Sequence, residues 1–243
     1  MIFEISHQII LLCDTEQDDI DEYRRIGVSM HTPSALKAKQ RELRDGFPEN
    51  LGLRVHRSIS WLMRAEHAGD DPDVQFVLLW VGFNACYSEN DRLPAREKQV
   101  FDGYFKKILK FDKDDVVADA IWSRFSGPIR ILLDNKYVFQ PYWNRLHSVD
   151  DSWKSSFDAV KRLTNIALKH GDTHTILSIL FDRLYVLRNQ LVHGGATWNS
   201  QLNRDQMRDG CAILTFLLPC FIDIMMEHPH ESWGEPCYPV VKD

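Results

Sequence analysis

Residues 173–195 read THTILSILFDRLYVLRNQLVHGG. At about 100° per residue, Leu177, Leu180, Phe181, Leu184 and Leu191 form one apolar stripe, and neither Pro nor Gly interrupts the segment before Gly194-Gly195. This is the pattern of an amphipathic helix with paired glycines just past its C-terminus. Arg188 falls inside the stripe, one turn beyond Leu184. A guanidinium stays protonated and is costly to bury alone, so Arg188 requires a carboxylate, a polar cavity or an anionic ligand. His193 follows at the helix end.

Helical spacing extends outward over most of the chain from Leu51, with helices expected over roughly 52–68, 73–88, 95–110, 113–123, 150–170, 173–193 and 204–227. No convincing period-2 run appears, so the expected fold is all-α, an antiparallel helical bundle with additional helices. The segment 73–88 is apolar nearly all round and should be a central, buried helix, with Asn84 its one polar interior residue. Between 124 and 148, Gly127-Pro128, Pro141 and mixed aromatics indicate loop with short helices. Gly46-Phe47-Pro48 reads as a boundary. The expected organisation is an N-terminal arm or appendage (1–50), a helical domain (51–230) and a C-terminal tail (231–243).

The chain has 243 residues, ordinary globular composition and a formal charge of −6, with 29 Lys plus Arg against 35 Asp plus Glu. That balance argues against broad coating of nucleic acid. The acidic excess sits partly in the arm, at Asp14, Glu16, Asp18, Asp19, Asp21 and Glu22, which leaves room for a confined basic cleft elsewhere. The five cysteines form no C-x-x-C pair and suggest no disulfide framework, so a reducing, cytoplasmic setting is expected. The stretch 211–226 is interrupted by Thr215, Pro219 and Asp223, short of a membrane span. His170 and His174 are separated by a helix break, and His228-Pro229-His230 lacks further ligands at metal spacing. Neither metal nor cofactor is expected, and no phosphate-binding glycine loop or nucleophile elbow occurs.

The segment Arg188-Asn189-Gln190-Leu191-Val192-His193 matches the R-x4–6-H motif of the HEPN superfamily. Its place near the end of a long amphipathic helix, the Asn after the Arg, the Gly-Gly after the His and a final helix at 204–227 resemble a stand-alone HEPN protein. The stretch 54–62, RVHRSISWL, continuing into 76–87, resembles the front helix pair of such proteins. The resemblance covers roughly 50–228. It implies metal-independent RNA cleavage by a homodimer in which two Arg/His motifs converge on one composite site. His193 would be the general acid/base, Arg188 would hold the scissile phosphate, and Asn189 would orient the imidazole or contact the phosphate. Cleavage by the ribose 2′-OH would leave a 2′,3′-cyclic phosphate. The implied setting is toxin–antitoxin or antiphage defence, with an antitoxin protein as partner.

Arg188 and His193 are about 140° apart on an ideal helix. A two-fold axis relieves this, because each residue then faces its counterpart in the other subunit. Arg54, Arg57 and Arg64 share a face with Trp61, a pattern that fits a solvated helix face or a subunit interface anchored by Trp61 before it fits a basic stripe that tracks RNA. Arg183, Arg204 and Arg208 are further phosphate candidates or surface charges. Glu66 and Asn84 are candidate partners of Arg188 within the bundle. The competing reading is a non-catalytic helical module that dimerises and binds a partner protein or nucleotide, with Arg188 paired to Glu66 and His193 capping its helix.

Overall fold

The computed structural model describes residues 31–88, 94–145, 151–201 and 203–239. Among them every regular element is helical and no strand occurs, so the fold is all-α. In chain order the helices are α1 (Pro33–Leu43), α2 (Glu49–Glu66), α3 (Pro72–Tyr87), α4 (Pro94–Phe111), α5 (Val116–Asp119), α6 (Ser126–Leu133), α7 (Gln140–Asn144), α8 (Ser152–His170), α9 (Thr173–Val192) and α10 (Arg204–Glu227). The helix expected over 113–123 breaks into α5 and a π turn at Ala120–Arg124.

Local chemistry sets the helix ends. Asp71 caps α3, its Oδ1 accepting from the Asp73 and Val74 amides at 3.1 Å each, and Pro72 occupies the first helical turn. Gly171 closes α8 in the left-handed region (φ 67°), and Asp172 then caps α9 through the Thr175 amide at 3.0 Å. This single glycine turn folds α8 and α9 into a helical hairpin.

The core forms where α3, α9 and α10 meet. Phe83 lies 4.6 Å from Phe181 and 4.5 Å from Tyr87, with Phe105 and Phe221 completing the ring cluster. Gly210 marks a tight crossing: a Cβ there would stand 2.9 Å from Phe76 Cε2 and 3.2 Å from Leu184 Cδ2. Gly210→Ala should therefore lose about 1–3 kcal/mol to overpacking and regain at most about 1 in helix propensity. A lower urea midpoint is expected; an unchanged or higher one would mean that Phe76 moves aside freely.

By length and composition α10 could cross a membrane, yet 72% of its apolar window is buried inside the bundle. It is the packing partner of α1, α2, α3, α4 and α6.

The boundary expected at residue 50 is corrected, since the helical body reaches back to α1. Leu36 is fully buried, and Lys39 Nζ reaches Asp223 Oδ1 at 2.6 Å and Glu227 Oε1 at 2.8 Å. Residues 1–30, with the acidic run, lie outside the described residues. Burial raises the Asp223 carboxyl, but hydrogen bonds and charge from His31 and Lys39 outweigh it and hold it below its ordinary value. A depressed folded pKa gives stability that is complete above about pH 4 and lost as pH falls through the folded value. Between pH 5 and 2, Asp223→Asn should show a stability decline shallower by about 1 kcal/mol, the pair being partly exposed. Parallel declines would remove this assignment.

The C-terminal segment is strapped across the bundle. Trp233 is buried with its indole N–H donating to the His228 carbonyl at 3.0 Å, and Lys107 donates to the Ser232 carbonyl. Residues 240–243 lie outside the described residues.

Candidate active site

Helices α3 and α9 run antiparallel, because Phe181 meets Phe83 while Tyr185 and Arg188 meet Trp80, nearer the start of α3. Arg188 is half-buried, its guanidinium carbon 4.7 Å from the Tyr185 ring centre and 5.6 Å from that of Trp80. Its place in an apolar stripe is thus met by aromatic faces, which attract a cation through their quadrupoles. A stacked guanidinium keeps in-plane N–H groups for hydrogen bonding.

His193 is the C-cap of α9. Its backbone N–H donates to the Asn189 carbonyl at 3.0 Å, and its side chain is exposed. No hydrogen bond joins the imidazole to the Asn189 amide, whose Oδ1 is buried without a partner among the described residues. The paired glycines have separate reasons. Gly194 adopts φ 69°, and a Cβ on Gly195 would stand 3.2 Å from the Gln190 carbonyl oxygen. The Ala196 N–H bonds that same carbonyl at 3.0 Å, turning the chain back sharply after His193.

The returning loop is fastened to the N-terminus of α3. The Trp198 indole N–H donates to Asp71 Oδ2 at 2.8 Å, and the Asn199 amide to Asp73 Oδ2 at 2.7 Å. Arg204 grips Asp73 with two bonds, Nη1 to Oδ1 at 3.2 Å and Nη2 to Oδ2 at 3.0 Å, and its Nε donates to the Ser200 carbonyl. Asn199 and Asn203 take left-handed backbone conformations within this loop. Asp71, Asp73 and Trp198 were not among the candidates from sequence. Their only local signal is a helix cap followed, far along the chain, by an unexplained tryptophan.

Several expected site residues are corrected. Arg54 is 0% exposed, its guanidinium donating to the carbonyls of Ala85, Cys86, Gly234 and Glu235. Arg57 donates to the carbonyls of Cys237 and Tyr238 at 2.8 and 2.6 Å. These two arginines hold the C-terminal strap instead of facing RNA, so the basic stripe on α2 reduces to exposed Arg64 and Trp61. Arg183 is 2% exposed, with its guanidinium over Phe139 and Phe157 and one bond to the Leu133 carbonyl. Burial lowers its pKa to about 10 against the opposing charge of Asp182. Arg204 is consumed by Asp73, whereas Arg208 is exposed beside Asp205 at 3.4 Å.

Glu66 is exposed and lines a groove of about 880 Å³ with Leu62, Gln75, Arg124, Arg208 and Phe216. Being exposed, Glu66 is not a buried counterion for Arg188. Asn84 lies one turn beyond Trp80 on the side away from Arg188, its Oδ1 buried without a partner among the described residues. Antiparallel packing separates the two. Among the described residues, no group of three or more His, Cys, Asp or Glu is placed to hold a metal ion.

No protein-family model, curated protein or solved structure matches this chain.

Proposed function

We propose that this chain is a metal-independent endoribonuclease of HEPN type that works as a homodimer in the cytoplasm. The observation that carries the reading is the placement of His193: an exposed imidazole on a locked turn, one residue after Val192, which is 54% exposed. A histidine so placed is open to substrate, and a two-fold axis beside the helix end would bring two such imidazoles to one site.

In the composite site, His193 of one subunit removes the proton from a ribose 2′-OH. The 2′ oxygen bonds to phosphorus, the P–O5′ bond breaks, and a protonated His193 of the other subunit delivers a proton to O5′. Arg188, steadied by Tyr185 and Trp80, neutralises charge gathering on the phosphoryl oxygens. The products carry a 2′,3′-cyclic phosphate and a 5′-hydroxyl. Arg64 and Arg208 remain as outlying phosphate contacts. A toxin–antitoxin or antiphage setting, with a protein antitoxin covering the cleft, follows from the resemblance in the Arg188 to His193 segment.

The imidazole has no hydrogen-bonded orienting group among the described residues, which favours the second reading, a non-catalytic module that binds a partner protein or nucleotide. Total RNA incubated with purified protein in EDTA separates them. Cleavage leaving cyclic phosphate ends, with activity rising as dimer forms in sedimentation, is the expected result. Intact RNA at concentrations where the protein is dimeric, or cleavage by a strict monomer, overturns the mechanism.

A further inference from the structure

We infer that Trp198 is a base-stacking platform that restricts this site to single-stranded RNA. The inference rests on the endoribonuclease reading above and names the form of its substrate.

Three observations carry it. Trp198 is 72% exposed, although an indole is among the largest apolar groups a fold can bury. That exposure is not a frayed loop. The indole is pinned to Asp71 at 2.8 Å, the next amide to Asp73 at 2.7 Å, and Arg204 holds Asp73 from below. The ring is therefore held out in a fixed position, with little side-chain freedom left to lose when something stacks on it. It also lies five residues from His193, so the two Cα atoms are at most about 18 Å apart even for extended chain. The turn back at Ala196 shortens that span, placing the ring within reach of nucleotides flanking the scissile phosphate.

The chemistry of the exposed face selects the partner. The indole N–H, its sole polar group, is committed to Asp71, so the ring has no donor with which to read a base edge. What remains is a π-face, which any base can cover. Bases within a duplex already have both faces stacked, whereas an unpaired base is free to stack on an aromatic side chain. The position should tolerate all four bases and reject paired RNA.

The test uses full-length protein carrying His193→Ala, so that RNA is bound but not cut. A fluorescein-labelled single-stranded decamer and the same sequence as a duplex are titrated by anisotropy. Adding Trp198→Ala should weaken single-strand binding about 5- to 150-fold. Trp198→Phe should recover most of the loss, with duplex binding unmoved. With His193 restored, Trp198→Ala should raise KM more than it lowers kcat. Equal single-strand binding by the alanine variant, alongside cleavage by wild type, overturns this inference and leaves the function standing. Wild type that neither binds nor cuts RNA overturns both. A shift in dimer mass on Trp198→Ala, at unchanged melting temperature, makes the ring a subunit contact and also overturns it.

Discussion

His193→Ala is expected to slow RNA cleavage by about 10²- to 10⁴-fold, the range for loss of a general acid/base, while leaving the melting temperature within a degree or two of wild type. The contrast follows from where the residue sits. Its imidazole is exposed and makes no hydrogen bond among the described residues, and its backbone N–H, which alanine keeps, closes α9 on the Asn189 carbonyl. Surface truncations of this kind usually change stability by no more than about 0.5 kcal/mol. Initial rates on a quenched RNA oligonucleotide in EDTA, with calorimetry on the same samples, give both readouts. Equal rates for the two proteins remove His193 from the chemistry.

Arg204→Ala is expected to cost about 3–5 kcal/mol of folding stability, because it strands the Asp73 carboxylate where it is only 7% exposed. The Asn199 amide would remain as an acceptor's partner for one oxygen, but one neutral donor does not replace a bidentate guanidinium. The loss belongs to the unpaired charge, so Asp73→Leu added to Arg204→Met should recover most of it. Chemical denaturation of the single and double variants checks this, and an Arg204→Ala protein as stable as wild type would sink the assignment. The same change unfastens the loop that carries Trp198. In the single variant, cleavage should fall even at temperatures where the bundle remains folded.

The arginines show how much of the site was legible. Arg54, Arg57 and Arg64 lie on one face of α2, and helical periodicity treats them alike. The structure makes two of them clamps on a strap from the far end of the chain and leaves one in solvent. Likewise Arg204, a phosphate candidate by its position after the motif, is the partner of an aspartate in the first turn of α3. Nothing within a helical turn of either residue announces that pairing. By contrast, the α9 helix and its glycine ending at His193 follow from neighbours in sequence, and they were readable there.

The sequence by itself determined most of the helices beyond Leu51 and the glycine ending of α9 after His193, because apolar spacing and Gly act on backbone within a few residues of themselves. Only the tertiary structure decided which charges meet solvent. Burial of an arginine depends on what another segment lays over it, as residues 234–238 do for Arg54 and Arg57 and Asp73 does for Arg204. Those contacts join positions more than a hundred residues apart, and their energy comes from desolvation and pairing that no local pattern records.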